Sequence, residues 1–300
     1  MRVAKTGEEL LDICKEEGIK LSEYALRCEM QSKNLSKEEV LEKLSKTLEV
    51  MKKSSSKGRE EEVYSLSGLI GGDAFKLQKY LESGKSFTGN GAILAMAMAI
   101  SSSEVNASMG KIIACPTAGS CGILPAVMLT AKERLNLQDE DLLYGLLAAS
   151  AIGLIIGKNA TFSGAEGGCQ AECGSASAMA AGGLVELMGG TPEMSLNAAA
   201  IVIKNILGLV CDPVAGLVCD PVAGLVEIPC AKRNASGAVN AICAADLVMA
   251  GIESKIPFDD TVSAMAQVGK ALPETLRETA LGGVAITKTG LMLKKKVFGK

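Results

Sequence analysis

Apolar residues recur at helical spacing through the first third of the chain. After Ser36, the residues Val40, Leu44, Leu48 and Met51 fall on one stripe. Ser36 with Glu39, and Thr6 with Glu9, carry the signature of a capping box at a helix start. The pattern ends the helix after Ser36 at the serine-rich run 54–58. Ser67-Gly68-Leu69-Ile70-Gly71-Gly72-Asp73 reads as a Gly-rich turn, and a short amphipathic helix follows through Leu81. Beyond residue 90, small-residue loops alternate with apolar segments. These predict helices at 91–101, 125–135, 138–156, 173–188, 193–208, 237–251, 259–270 and 274–281. Pro125 and Pro192 sit where a first helical turn accepts proline. Gly189-Gly190 and Gly282-Gly283 are suited to helix stops. No stretch alternates with period two over several strands. The expected fold is all-α: a charged helical layer, residues 1–88, packed on a Gly/Ala-rich helical body, residues 89–300, with the seam at 84–90.

Composition supports helices. Hydrophobic residues make up 48% of the 300, yet aromatics are only 3% and Trp is absent. A core of Ala, Leu, Ile, Val, Met and Gly suits close helix contacts better than sheets. Residues 1–90 hold 16 basic and 16 acidic side chains, whereas the following 210 hold 15 and 18, so the polar surface is concentrated at the front. A net charge of −3 gives no general attraction to nucleic acid or to an acidic membrane, and neither is expected as a partner. Lys294-Lys295-Lys296 reads as a solvated tail. The apolar run 142–157 is shorter than the roughly 20 residues of a spanning helix and reads as a core helix. The first residues lack the apolar core of a signal peptide, which predicts a cytoplasmic protein with reduced thiols.

With His at zero, this chain supplies no histidine base, triad or metal ligand. Its chemistry has to come from ten cysteines and a few polar loops. Cys115-Pro116-Thr117-Ala118-Gly119-Ser120-Cys121-Gly122 leads into a helix, so its amides and hydroxyls would suit a carboxylate or a phosphate, or form a plain tight turn. It is not a P-loop, because the Gly-Lys-Ser/Thr ending is missing. A second polar loop runs from Lys158 through Asn159, Thr161, Ser163 and Glu166 to Cys169. A third ends at Glu227-Ile228-Pro229-Cys230. A fourth, from Lys232 to Gly237, contains Ser236. No C-x₂-C pair points to zinc. Cys169 and Cys173 would share a helix face, but that spacing is common. The loop cysteines Cys169, Cys219 and Cys230 are better placed to converge, and three thiolates without histidine suit an iron–sulfur cluster. Cys14, Cys28 and Cys243 fall on predicted helices and read as packing residues.

Residues 211–218 and 219–226 both read CDPVAGLV, a perfect tandem repeat of eight residues. Eight is no solenoid period, and Pro213 and Pro221 oppose a continuous helix through the repeat.

The motifs NASMGKIIACPTAGSCGILPA, SGAEGGCQAECGSA, CDPVAGLVEIPCAKRN and LPETLRETALGG occur in this order. With them the chain resembles the α subunit of the two-subunit, iron–sulfur L-serine dehydratases over nearly its whole length. The resemblance implies an all-helical catalytic domain, a [4Fe–4S] cluster on three cysteines and no pyridoxal phosphate. It maps the ligands onto Cys169, the Cys of CDPVAGLV and Cys230. Cys219 keeps the family's ten-residue gap to Cys230, whereas Cys211 keeps its distance from Cys169. Cys219 is the expected ligand and Cys211 the alternative. Cys173 stands where relatives carry an aliphatic residue and is set aside. L-serine would lose its α-proton and C3 hydroxyl, giving pyruvate and ammonia. Its carboxylate would sit on Thr117, Gly119 and Ser120, with Asn159, Ser163 and Ser236 as further contacts. The base would come from a partner β subunit, or from Lys158 or Glu166 if burial shifts its pKa. Two other functions fit the same residues. One is a related cluster lyase of cysteine-desulfidase type. The other is a partner-binding subunit whose cluster the repeat has spoiled.

Overall fold

The computed structural model describes residues 2–214 and 228–299. The second copy of the octapeptide, with Cys219, lies outside the described residues. Thirteen α-helices and no strand occur among the described residues, so the all-α expectation is borne out. The helices are α1 (Gly7–Glu17), α2 (Leu21–Lys33), α3 (Lys37–Glu60), α4 (Asp73–Glu82), α5 (Gly89–Ala107), α6 (Ile123–Leu135) and α7 (Asp139–Asn159). After these come α8 (Gly164–Gly167), α9 (Ser175–Leu187), α10 (Pro192–Asn205), α11 (Cys230–Met249), α12 (Phe258–Ala271) and α13 (Lys288–Phe298).

Local signals set the starts of these helices. Ser36 and Glu39 form the full capping box of α3, with Ser36 Oγ accepting from the Glu39 amide at 3.2 Å. At α1, Thr6 Oγ1 accepts from the Glu9 amide, while the Glu9 carboxylate reaches Lys5 N instead of Thr6 N. Pro192 occupies the first turn of α10 behind a Thr191 cap.

Helix α9 is central and packs against α6, α7, α10 and α11. It is built from small residues; a Cβ on Gly183 would stand 2.6 Å from the Gly145 carbonyl of α7. Ala and Gly thus let helix backbones approach where larger side chains would hold them apart, and dispersion across these contacts adds to the burial of Ile152, Ile155 and Ile156. Each fully buried Ile is worth about 1.5–3 kcal/mol relative to exposure. Helix α7 is long and apolar enough to cross a membrane, but 67% of its apolar window is buried inside the protein, against α2, α9 and their neighbours. This is the core helix expected for 142–157.

Three sequence expectations are corrected. The run 54–58 does not break a helix: α3 continues through it to Glu60. Ser54 and Ser55 are buried against α5. Ser54 Oγ and Ser55 Oγ meet Ser102 Oγ at 3.2 and 3.1 Å, and Ser101 Oγ accepts from Gly58 N at 2.8 Å. Polar side chains that would favour a turn on a surface here find partners across a helix interface. The predicted helix 274–281 is only a short 3₁₀ turn, Glu274–Leu276. Its backbone instead pairs with the segment around Cys211. Lys294, Lys295 and Lys296 are solvent-exposed, but on α13, which Thr287 caps, and not on a tail.

The fold also buries a carboxyl. Glu104 of α5 is 0% exposed, and its Oε1 accepts from Asp73 N at 2.7 Å, taking the role of a cap for α4. Its Oε2 has no hydrogen-bond partner. Burial, opposed by those amide bonds, lifts its pKa from 4.5 to about 7. A carboxyl with a raised folded pKa binds an extra proton in the native state. Its contribution is therefore complete below about pH 4.5 and is lost as pH rises through about 7. Glu104→Gln is expected to flatten that slope and to stabilise the protein at pH 8 by roughly 1–3 kcal/mol. Thermal unfolding at pH 5 and pH 8 checks this. A variant less stable than wild type at pH 8 would contradict it.

Candidate metal centre

The four cysteines that matter are delivered by three segments. Cys169 follows Gly168, whose φ of +74° turns the chain out of α8. A single π-helical turn, Gln170–Gly174, then carries Glu172 and Cys173 before α9 begins. Such turns recur where a helix must re-aim side chains at a site. Gln170 is fully buried and fixes this turn: its side chain donates to Met265 O at 3.0 Å and accepts from Gly208 N at 2.9 Å. Cys211 arrives on the extended segment that follows α10. Cys230 is the first residue of α11.

The metal-binding atoms of Cys169, Glu172 and Cys211 lie within 4.8 Å of one another, and all three residues are buried. Cys173, Cys211 and Cys230 stand next to the Cys169 sulfur, and with the nearby Arg233 charge they hold its pKa well below the usual thiol value despite burial. Hydrogen bonding to Cys169, together with burial, pushes Cys173 and Cys211 the other way.

Arg233 of α11 supplies the positive charge. Its Nη1 lies 3.2 Å from Cys169 Sγ and 2.8 Å from Val210 O, and its Nη2 donates to Asp212 Oδ1 at 2.8 Å. Asp212 Oδ2 accepts from Val284 N at 2.8 Å. Gly283, at φ +58°, makes room for that carboxylate, since a Cβ there would collide with it. The LPETLRETALGG segment is thereby bound over the centre. Cys211 N donates to Leu276 O at 2.9 Å, and Glu278 N donates to Cys211 O at 2.8 Å.

The Thr117 loop closes another side. Thr117 Oγ1 donates to Glu172 Oε1 at 3.0 Å and meets Ser120 Oγ at 3.1 Å. Asn234 of α11 holds the loop, donating to Gly119 O at 2.7 Å and accepting from Gly122 N at 2.9 Å. The Ser120, Cys121 and Gly122 amides are consumed within this arrangement. Among the described residues, the amides at the head of the turn, Ala118 and Gly119, are the ones left to meet an anion.

The other proposed contacts lie elsewhere. Lys158 and Glu166 are both exposed, contrary to the burial expected of a base. Lys158 Nζ donates to Ala4 O at 2.6 Å, and Glu166 accepts from Thr161 Oγ1 at 2.6 Å. Asn159 bonds Lys5 O and Ile155 O, Ser163 N donates to Thr161 Oγ1, and Ser236 bonds Arg233 O of its own helix. None of these bonds leads to the thiols. Cys243 is exposed and not a packing residue as expected, whereas Cys14 is buried.

Sequence reasoning missed Glu172, the Arg233–Asp212 pair and the place of Cys173. Glu172 had a signal: it is a lone carboxylate in the apolar stretch 169–185, where an unpaired charge is costly. The ion pair had none, because it joins residues 21 apart through the fold.

The family model described as serine dehydratase alpha chain matches residues 16–218 and 214–285, two stretches that overlap within the octapeptide. The L-serine dehydratase alpha chain of Peptoniphilus asaccharolyticus is 49% identical over 97% of this chain and 97% of its own length. The probable L-serine dehydratase alpha chain of Bacillus subtilis is 49% identical over 97% of this chain and 94% of its own. The L-serine dehydratase of Streptomyces coelicolor is 37% identical over 94% of this chain, which spans only 60% of that longer protein. Matches of this extent and identity establish that the chain belongs to the serine dehydratase alpha chain family.

Proposed function

We propose that this chain is the α subunit of an L-serine dehydratase that holds a [4Fe–4S] cluster and converts L-serine to pyruvate and ammonia. The observation that carries the cluster is the buried group of Cys169, Glu172 and Cys211, whose ligand atoms lie within 4.8 Å of one another, with Cys230 beside Cys169. Soft thiolates without histidine suit iron–sulfur ligation. Cys169, Cys211 and Cys230 are the proposed ligands. Cys219, expected from its gap to Cys230, lies outside the described residues, whereas Cys211 reaches Cys169 and Glu172. When bound, a cluster held by three thiolates supplies a Lewis acid for the departing C3 hydroxyl.

The protein's own groups do the rest. The Ala118 and Gly119 amides, with Thr117 and Ser120 beside them, accept the substrate carboxylate. Glu172 is held by Thr117 at one oxygen, while its other faces Cys169, at 3.9 Å. It therefore links the substrate loop to the thiols. Arg233 places its positive charge 3.2 Å from the Cys169 sulfur and so favours the thiolate that binds metal. Loss of the α-proton and the hydroxyl releases one water from serine. Hydrolysis of the resulting enamine takes one water up, so serine yields pyruvate plus ammonia.

Among the described residues Lys158 and Glu166 are engaged by Ala4 and Thr161 away from the thiols, and the chain has no histidine. A β subunit is the proposed source of the base. The Streptomyces relative carries well over a third more chain than this one matches, room for such a part in a single polypeptide. The α chain reconstituted anaerobically with iron and sulfide is expected to form pyruvate from serine at least about 10²-fold more slowly without the β subunit than with it, the scale of a lost general base. Pyruvate formation that survives removal of iron would refute the cluster reading.

A further inference from the structure

A cavity of about 480 Å³ lies beside the centre without including any of its cysteines. Lys158, Lys270 and Arg277 line it, with Glu166 as the one acidic side chain. Two of these charges are already committed: Lys158 to Ala4 O and Glu166 to Thr161. Lys270 and Arg277 form no ion pair among the described residues, and the Arg277 Nε is buried without an acceptor. Much of the remaining wall is alanine, glycine and Met265, with no aromatic ring to stack a base. A guanidinium N–H that is shielded from water and lacks an acceptor calls for a planar oxyanion, and arginine matches a carboxylate with two parallel bonds. The volume is at the small end of ligand pockets.

The wall next to the centre is α8. Gly167 lines the cavity, while three residues earlier Gly164 stands against the thiol site: a Cβ there would meet Glu172 Oε2 at 2.7 Å and Cys211 Sγ at 3.2 Å. A second connection is backbone. Arg277 is bridged to Cys211, through Cys211 N to Leu276 O and Glu278 N to Cys211 O. Whatever clamps the Arg277 side chain steadies the segment that positions the Cys211 sulfur.

We propose that this cavity is a second site for a small carboxylate, separate from the substrate loop, and that its occupancy orders the Cys211 segment. Binding itself stands independently of the cluster; only its meaning for a ligand cysteine rests on the proposed function. The two acids that the reaction provides, L-serine and pyruvate, share the required chemistry.

The test uses the full-length, reduced, metal-free chain, titrated by calorimetry with L-serine, with pyruvate and with inorganic phosphate, and followed by amide hydrogen exchange. Saturable binding of at least one of the two acids is expected. Lys270→Gln, at an exposed position, is expected to weaken it about tenfold, and Arg277→Gln to abolish it. The amides of Cys211 and Glu278 are expected to exchange more slowly in the bound state. The double variant Cys169→Ser, Cys230→Ser is expected to bind as wild type, which separates this site from the cluster. Absence of binding by both acids, preference for phosphate alone, or binding indifferent to Lys270→Gln would overturn the proposal. Binding that leaves exchange at Cys211 and Glu278 unchanged would overturn the coupling.

Discussion

Cys169→Ser, Cys230→Ser and Cys211→Ser are each expected to lose the iron–sulfur chromophore and to lower serine turnover by about 10³-fold or more, the scale of a missing catalytic unit. A hydroxyl is a poor ligand for iron that soft thiolates hold. Cys169 is the most sensitive position, because its sulfur lies within 4.8 Å of the Cys211 sulfur and a Glu172 oxygen and 3.2 Å from Arg233. The informative comparison is within the repeat. Cys219→Ser is expected to keep iron, sulfide and turnover, because Cys211 already reaches Cys169 and Glu172. The reverse result, iron lost with Cys219→Ser and kept with Cys211→Ser, would move the ligand to the second copy. Cys173→Ser is expected to retain the cluster if three ligands suffice. Iron and sulfide analysis with visible absorbance on anaerobically prepared protein reads all five variants.

Arg233→Met is expected to destabilise the fold by about 3–5 kcal/mol, the usual cost of removing one partner of a buried ion pair. The side chains are 16% and 4% exposed, so solvent screens this pair little. The loss leaves Asp212 as a buried carboxylate with, among the described residues, only the Val284 amide to meet it. It also removes the donor to Val210 O and the cation beside Cys169. Adding Asp212→Asn to Arg233→Met is expected to recover part of the stability, because the stranded charge goes with it. It is not expected to recover cluster occupancy, which needs the cation near Cys169. Denaturant unfolding combined with iron analysis separates the two effects. A double variant as unstable as the single would show that packing of the Arg233 stem, and not charge, sets the cost.

Much of the chain could be read in advance because its information is local. The stripe of Val40, Leu44, Leu48 and Met51 needs only the 3.6-residue period and a core to face. The caps at Thr6, Ser36 and Thr191 lie within three residues of the amides they serve. The aromatic-poor, Ala- and Gly-rich body pointed to close-packed helices, and α9 against α7 is that contact. Cys169 and Cys230 were singled out because they stand in Gly- and Pro-flanked segments within an apolar body, and the structure brings both to one place. The absence of histidine is absolute in the sequence and needs no structure to direct the search for a base elsewhere.

What the sequence left undecided depends on pairings between distant segments. The serines at 54–55 look like a helix stop until α5 offers Ser102 to them. Residues 274–281 carry helix-like composition, yet the Leu276 carbonyl and the Glu278 amide go to Cys211, and a backbone group can serve only one such ladder. The resemblance sets Cys173 aside because relatives carry an aliphatic residue there, but the π turn Gln170–Gly174 leaves it beside Cys169. Lys158 and Glu166 were attractive as polar residues near Cys169 in sequence. The exposed end of α7 and the α8 turn carry them to another cavity instead. Periodicity and capping are contests among near neighbours, which the chain states openly. Burial, ion pairing and thiol convergence are set by which surfaces meet after folding, and only the tertiary structure decides those.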